Sequence, residues 1–177
     1  DIITGWNVQG FDMPYLYNRM TKILGAKNAK RLSPVGMIRE REFEMYNRKH
    51  FEVELIGMTI LDYLQMYKKF TYSQQESYRL DHIAHVELGE NKLDYSEVET
   101  LHQLYKLDYE KFIDYNIKDV ELVDKLEEKM KLINMVMAIA YDAKVNYRDT
   151  FTQVRMWDVL IHNWLYDQKI AIPPNEK

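Results

Sequence analysis

An aspartate in the second half of the sequence falls on the apolar side of a predicted helix. The apolar pattern indicates a long helical stretch over residues 109–145, with a break expected near Asn134. At ~100° per residue, Asp119 lies roughly 40° from Tyr115, within the apolar arc. A buried carboxylate loses several kcal/mol of solvation, so Asp119 must be protonated, paired with a cation, hydrogen-bonded or bound to a metal. For a single aspartate, pairing with a Lys or Arg of a neighbouring element ranks ahead of a metal site.

Two further polar residues, Asn7 and Asp12, follow a short apolar strand predicted at residues 2–6. Asp12, with Pro14 behind it, suits the N-cap of a helix, and Asn7 suits a turn. The point where a strand ends and a helix begins is also where α/β sheets place functional groups. A carboxylate at that point can meet one from a distant helix.

Composition is that of a folded domain of ordinary size. The 177 residues favour one domain, and 46% of them are hydrophobic and 13% aromatic. No apolar run approaches the ~20 residues of a membrane span, and no targeting segment is visible. The absence of cysteine excludes disulfides, thiolate zinc sites and cysteine nucleophiles. We therefore expect a cytoplasmic protein without a membrane partner.

Charge is unevenly distributed although the net charge is only −4. Residues 19–49 hold nine basic and three acidic side chains, whereas residues 90–129 hold twelve acidic and six basic ones. A basic segment beside an acidic one is what a protein needs if it binds phosphates and also collects cations. Two solvated faces of opposite charge would give the same pattern. Lys68, Lys69 and Arg79 are candidates for contacts with a DNA backbone, with solvated side chains as the default.

Local patterns predict an α/β or α+β domain with a largely helical second half. After the first strand, a helix is expected from residue 13 to Gly25, and a hairpin over residues 38–60 turns near Asn47. Further helices are expected at residues 61–70, 78–87, 96–106, 109–145 and 152–168.

Two motifs in this order resemble the second and third exonuclease motifs of family B DNA polymerases. They are Asn7-x-x-x-Phe11-Asp12 and Tyr115-x-x-x-Asp119, and YRLDHIAHVELG lies between them. Other stretches resemble the polymerases of T-even-type bacteriophages along the whole chain: GWNVQGFDMPYLYNRM, AKRLSP, LDYLQMYKKF, YNIKDV and WDVLIHNWL. The resemblance identifies the sequence as part of such a replicative polymerase, which would act in the host cytoplasm if a phage encodes it.

The resemblance implies an RNase H-like (DnaQ-like) α/β fold that carries a proofreading 3′–5′ exonuclease. In that family, two Mg²⁺ or Mn²⁺ ions hydrolyse the terminal phosphodiester of a single-stranded primer end. Asp119 resembles a direct metal ligand, Asp12 a metal-site carboxylate, and Tyr115 the tyrosine that orients the attacking water or the scissile phosphate. Asn7 and Phe11 resemble residues that line the pocket for the 3′-terminal nucleotides. Residues 1–148 would form the exonuclease domain, and residues 149–177 a helical connector towards the polymerase palm.

One part of the family pattern is missing from the sequence. The first exonuclease motif, Asp-x-Glu on an earlier strand, does not occur ahead of Asn7. The resemblance then predicts an incomplete fold, weak or absent metal binding and no activity for this chain alone. It also predicts partners in the remaining portions of the polymerase, or self-association through an exposed sheet edge.

Two other interpretations remain open on the sequence. The first is a non-catalytic module that binds single-stranded DNA or a replication partner. The second is a helical scaffold in which Asp12 caps a helix and Asp119 pairs with a basic residue.

Overall fold

Two small sheets and a set of helices form the protein in a computed structural model that describes residues 2–45, 48–91 and 101–172. Strand β1 (Ile2–Gly5) pairs in parallel with β4 (Thr59–Asp62), so that Gly5 lies opposite Asp62. Strands β2 (Ile38–Met45) and β3 (Arg48–Leu55) form an antiparallel hairpin as predicted, but it ends at Leu55 rather than at residue 60, since residues 59 and 60 belong to β4. The described part of the chain is thus a mixed α/β structure, as the sequence predicts.

Apart from α2, which was not predicted, the helices follow the predicted order with shifted ends. They are α1 (Met13–Leu24), α2 (Ala26–Ala29), α3 (Tyr63–Phe70), α4 (Leu80–Leu88), α5 (Leu101–Leu107), α6 (Tyr109–Met130), α7 (Leu132–Ala143) and α8 (Gln153–Asp167). Gly25, with a φ of 83°, ends α1 as expected. The start of the predicted helix at residue 96 lies outside the described residues. Within the described ranges, no helix is long and apolar enough to cross a membrane.

The predicted helix over residues 61–70 begins too early. Leu61 and Asp62 belong to β4, where they lie opposite Thr4 and Gly5, and α3 starts only at Tyr63. Pairing with a strand more than fifty residues away overrides the local helical pattern, because β4 places the side chain of Leu61 in the core.

The long helical stretch breaks at Lys131 rather than near Asn134. Lys131 adopts the left-handed conformation with a φ of 57°, and its N–H donates to the carbonyl of Glu127 at the end of α6. The Glu127 carboxylate then accepts hydrogen bonds from the N–H of Ile133 (3.1 Å) and the hydroxyl of Tyr63 (3.2 Å). One side chain thereby joins the end of α6, the start of α7 and helix α3.

Two apolar clusters hold these elements together. The larger one packs β4, α3, α4, α6 and α7 around side chains that include Leu61, Tyr63, Ile83, Leu122 and Val136. The smaller one lies beneath the hairpin and fixes the start of α1. Its buried members are Val8, Met13, Tyr17, Ala29, Val53 and Leu55.

Residues on both sides of the predicted boundary between residues 148 and 149 contact the preceding part of the chain. Arg148 forms salt bridges with Glu52 (2.9 Å) and Glu54 (3.1 Å) of the hairpin. The Lys69 ammonium donates to the carbonyl of Phe151 at 2.9 Å. These contacts attach the 3₁₀ segment Tyr147–Phe151, which precedes α8, to the rest of the molecule.

A charged cluster holds the segment after α4 against α6. The Glu90 carboxylate accepts hydrogen bonds from Lys118 (2.8 Å) and Lys125 (2.6 Å), and these two cations lower the pKa of Glu90 to about 2. Because the pKa of Glu90 is lower in the folded protein than in the unfolded chain, this cluster stabilises the fold above the unfolded value and loses its effect as pH falls towards 2.

We expect Glu90→Gln to lower the free energy of unfolding at neutral pH and to leave it almost unchanged near pH 2. Both proteins should be unfolded with urea at several pH values, since the stability difference should appear between about pH 2 and pH 5. A difference that stays constant over this range would contradict the assignment. Asp142→Ala, a change at an exposed helix position, is the control.

Candidate active site

A cleft of about 1870 Å³ brings together residues 4–12 near the start of the chain and residues 113–133, which lie more than a hundred positions further along it. The loop after β1, the start of α4 and one side of α6 form its walls. Four of the five predicted site residues line it: Asn7, Asp12, Tyr115 and Asp119. The fold therefore places two carboxylates that are 107 positions apart in the sequence in one cleft.

The loop that carries Asn7 and Asp12 has an unusual backbone. Asn7 adopts the left-handed conformation with a φ of 61°, and a π-helical turn, Val8–Asp12, leads from it into α1. The carbonyl of Asn7 accepts hydrogen bonds from the N–H groups of Gly10 (3.2 Å) and Phe11 (3.0 Å). A Cβ at Gly10 would lie 2.6 Å from Asn7 Oδ1, so glycine leaves room for the Asn7 side chain. The loop thus fixes how Asn7 is presented.

Asp62 fixes this loop to the sheet and to α3. Its side chain is 1% exposed, and its carboxylate accepts three hydrogen bonds of 3.0 Å each, from the N–H groups of Asn7, Gln9 and Leu64. Burial raises the pKa of Asp62, and the backbone N–H groups oppose that rise by stabilising the carboxylate. The bond to Leu64 also caps α3.

Trp6 fixes the same loop to the opposite wall of the cleft. Its indole Nε1–H donates to the carbonyl of Tyr78 at 3.1 Å. Its ring lies 6.3 Å from the ring of Tyr63 and 6.0 Å from that of Tyr67. Because Tyr78 lies two residues before the start of α4, this hydrogen bond sets the spacing between the Asn7 loop and α4.

Asp12 does not act as the predicted helix cap. It stands at the N-cap position of α1 but has helical dihedral angles (φ −64°, ψ −47°), and its side chain makes no capping hydrogen bond. The π-helical turn explains this, since the N–H of Met13 already donates to the carbonyl of Val8. Burial raises the pKa of Asp12, which a hydrogen bond from its own backbone partly opposes. A cation beside this carboxylate would offset the cost of its burial.

Tyr115 and Asp119 lie one turn apart on α6. Tyr115 is buried, and Asp119 is half-buried with its Oδ1 atom withdrawn from solvent. Both side chains line the cleft together with Val123. The buried Leu122 and Leu126 anchor this part of α6 in the larger apolar cluster. Asp119 therefore sits at the border between core and cleft, on the apolar side where the sequence places it.

Phe11 lies outside the set of residues that line the cleft. Its side chain is 64% exposed and stacks on Tyr15, with the ring centroids 6.3 Å apart and the planes 9° from parallel. The predicted role of Phe11 at the 3′-terminal nucleotides stays a prediction.

The described residues do not form a complete metal site. Among them, no group of three or more His, Cys, Asp or Glu side chains is arranged to hold a metal ion. Asp12 and Asp119 are hard oxygen donors of the kind that Mg²⁺ and Mn²⁺ prefer, but two carboxylates are fewer than a two-metal centre requires.

Two structural residues of the site were not predicted from the sequence, namely Asp62 and Glu127. The sequence could have predicted Asp62 as a helix cap, because an aspartate directly before an apolar helical stretch is a common N-cap. No sequence pattern predicts the role of Glu127, since its hydrogen bonds to Tyr63 and Ile133 depend on tertiary packing.

Comparison with known proteins identifies the family. A family model for the exonuclease domain of family B DNA polymerases matches residues 1–83. Over 173 residues, or 97% of the chain, the sequence is 39% identical to the DNA-directed DNA polymerase of Escherichia phage RB69 and 35% identical to that of Enterobacteria phage T4. The chain belongs to the family B DNA polymerases, in the region of their exonuclease domain.

Similarity to these polymerases extends beyond phages and covers both walls of the cleft. The DNA polymerase catalytic subunit of Alcelaphine herpesvirus 1 is 27% identical over 91% of the chain. The family model includes the loop with Asn7 and Asp12, and the alignments with the phage polymerases extend over nearly the whole chain. The chain spans about a fifth of the length of each phage polymerase, 19% in both cases, and 16% of the herpesvirus protein.

We expect Asp62→Ala to lower the free energy of unfolding by about 3 kcal/mol or more, because three buried backbone N–H groups lose a charged acceptor. Asp62→Asn keeps one carbonyl oxygen as an acceptor and should cost about 1–2 kcal/mol. Urea unfolding followed by circular dichroism measures both. Equal stability of the Ala variant and the wild type would contradict the role given to Asp62, and Asp142→Ala again serves as the exposed control.

Proposed function

We propose that this chain forms part of the proofreading 3′–5′ exonuclease of a replicative DNA polymerase, with an RNase H-like arrangement of its α/β core. Residues 1–148 belong to the exonuclease domain in this proposal, and residues 149–177 lead towards the polymerase domain. The substrate is the single-stranded 3′ end of a primer, and the remaining polymerase is the main partner. The proposal includes action in the cytoplasm of a host cell.

The observation that supports this function is the shared cleft of Asp12, Tyr115 and Asp119. Three side chains suited to phosphodiester hydrolysis reach one cleft from the π-helical turn before α1 and from α6, which are far apart in sequence. A helical scaffold with a capping Asp12 does not require this convergence, and Asp12 makes no capping hydrogen bond.

Each residue has a distinct role in the proposed reaction. Asp12 and Asp119 supply carboxylate oxygens to divalent metal ions, which when bound activate water and stabilise the leaving oxygen. Tyr115, held by its burial on α6, orients the attacking water or the scissile phosphate with its hydroxyl group. Asn7, fixed by Gly10 and Asp62, offers its amide to the terminal nucleotide.

We expect the chain alone not to hydrolyse DNA. Of the carboxylates that line the cleft, the proposal assigns two, those of Asp12 and Asp119, to metal binding. No group of three or more His, Cys, Asp or Glu side chains among the described residues is arranged to hold a metal ion, and two bridged metal ions need more oxygen donors than these two. The test on the isolated chain therefore measures weak metal binding rather than hydrolysis.

Paramagnetic Mn²⁺ offers a test through the three tryptophans of the chain. Trp6 lines the cleft, whereas Trp157 and Trp164 are exposed on α8. In ¹⁵N-labelled protein, substoichiometric Mn²⁺ should broaden the indole N–H signal of Trp6 and leave those of Trp157 and Trp164 sharp. Asp119→Asn and Asp12→Asn should each raise the Mn²⁺ concentration needed for this broadening at least tenfold, since each removes one of two charged donors.

Glu128→Gln, which neutralises an exposed acid outside the cleft on the same helix as Asp119, is the matched control and should leave the Mn²⁺ response unchanged. Uniform broadening of all three indole signals, or an unchanged response in both Asp variants, would remove Asp12 and Asp119 from the metal site.

A binding module without catalysis is the second candidate, and the absence of a complete metal site among the described residues favours it. Such a module would bind a single-stranded oligonucleotide equally well with Asp119→Asn. A polymerase that contains this chain would then release no nucleotides from a 5′-labelled single strand in Mn²⁺, whereas the exonuclease proposal requires release that is lost with Asp119→Asn.

A further inference from the structure

The side chains that line the cleft carry more negative than positive charge, and the proposed substrate is itself an anion. Six carboxylates line it, from Asp12, Asp81, Asp119, Glu121, Asp124 and Glu127. Among the described residues of the cleft wall, Arg79 is the one cationic side chain. A polyanionic strand that enters such a cleft needs a cation to bind its phosphates, because the carboxylates repel it.

Lys68, Lys69 and Arg79 are the basic residues that the sequence offers as DNA contacts, and their surroundings in the structure differ. The ammonium of Lys68 lies 4.8 Å from the centre of the Tyr78 ring, in a cation–π contact. The ammonium of Lys69 donates to the carbonyl of Phe151. Neither lysine lines the cleft, whereas Arg79 does and its side chain is exposed there.

The backbone at Arg79 is held firmly on both sides. Tyr78 accepts the indole hydrogen bond of Trp6 at its carbonyl, and its ring packs against that of Tyr67 at 6.3 Å. On the other side, Leu80 is 5% exposed in the larger apolar cluster. The guanidinium thus extends from a fixed point that the Trp6 hydrogen bond connects to the loop of Asn7 and Asp12.

We propose that Arg79 is a substrate-positioning residue that binds a backbone phosphate of the single strand, upstream of the phosphodiester placed at Asp12 and Asp119. The inference rests on the proposed function and adds a residue to it. A planar guanidinium can bind two phosphate oxygens at once, which sets the position of the strand along the cleft without reading its sequence.

The test is the salt dependence of oligonucleotide binding by the 177-residue chain. Binding of a 5′-fluorescein-labelled oligo(dT) is followed by fluorescence anisotropy in EDTA over a series of KCl concentrations. Loss of one phosphate contact on a single strand reduces the slope of log K against log [KCl] by about 0.7. We expect this reduction for Arg79→Ala, together with equal weakening for oligo(dT) and oligo(dC).

Two variants serve as controls. Arg79→Lys keeps the charge and should keep the slope, although it loses two-point binding. Arg155→Ala removes the same charge from α8, outside the cleft, and should leave affinity and slope unchanged. Because the Arg79 side chain makes no capping hydrogen bond to α4, the Ala variant should keep the unfolding temperature of the wild type.

The outcomes distinguish this inference from the function on which it rests. Wild-type binding with an unchanged slope in Arg79→Ala would overturn the role of Arg79 alone. Failure of the wild-type chain to bind any single strand would overturn both the role of Arg79 and the choice of DNA as the occupant of the cleft. The Mn²⁺ response of Trp6 tests the metal-binding carboxylates independently of either result.

Discussion

The buried carboxylate of Asp62 is the contact on which the candidate site depends. It ends β4, caps α3 and accepts the N–H groups of Asn7 and Gln9, so one side chain fixes the sheet, a helix and the loop that leads to Asp12. A carboxylate that is 1% exposed is costly to bury, and only several well-placed donors can offset that cost. The strained loop conformation at Asn7, with its positive φ, is therefore maintained by a residue that does not itself line the cleft.

The remaining walls of the cleft are tied to the same frame by polar contacts in the apolar core. Trp6 connects the loop to the carbonyl of Tyr78 before α4, and Glu127 connects the end of α6 to Tyr63 of α3. Helix α6 bears Asp119, so its position relative to α3 sets the distance between the two candidate metal-binding acids. Proximity of reacting groups matters steeply for catalysis, and a site built from elements far apart in sequence needs such cross-links.

The cleft combines features that have opposite electrostatic requirements. Its many carboxylates attract divalent cations, and bound cations would invert the local field for a phosphate. Arg79, held between Tyr78 and the buried Leu80, offers a positive charge that does not depend on metal. Membership in the family B polymerases agrees with the proposal that this cleft binds metal ions and a nucleic acid strand.

The sequence by itself determined the features that local chemistry dictates. Helical periodicity placed Asp119 on the apolar side of its helix, Gly25 ended α1, and the alternation of apolar and polar residues predicted the hairpin. Predictions from local patterns were wrong where backbone contacts outside those patterns determined the structure. Leu61 became part of a strand because β1 pairs with it, and Asp12 lost its capping role because a π-helical turn already satisfied the backbone. Only the tertiary structure brought the two acids into one cleft, since no local pattern encodes which distant elements share a core.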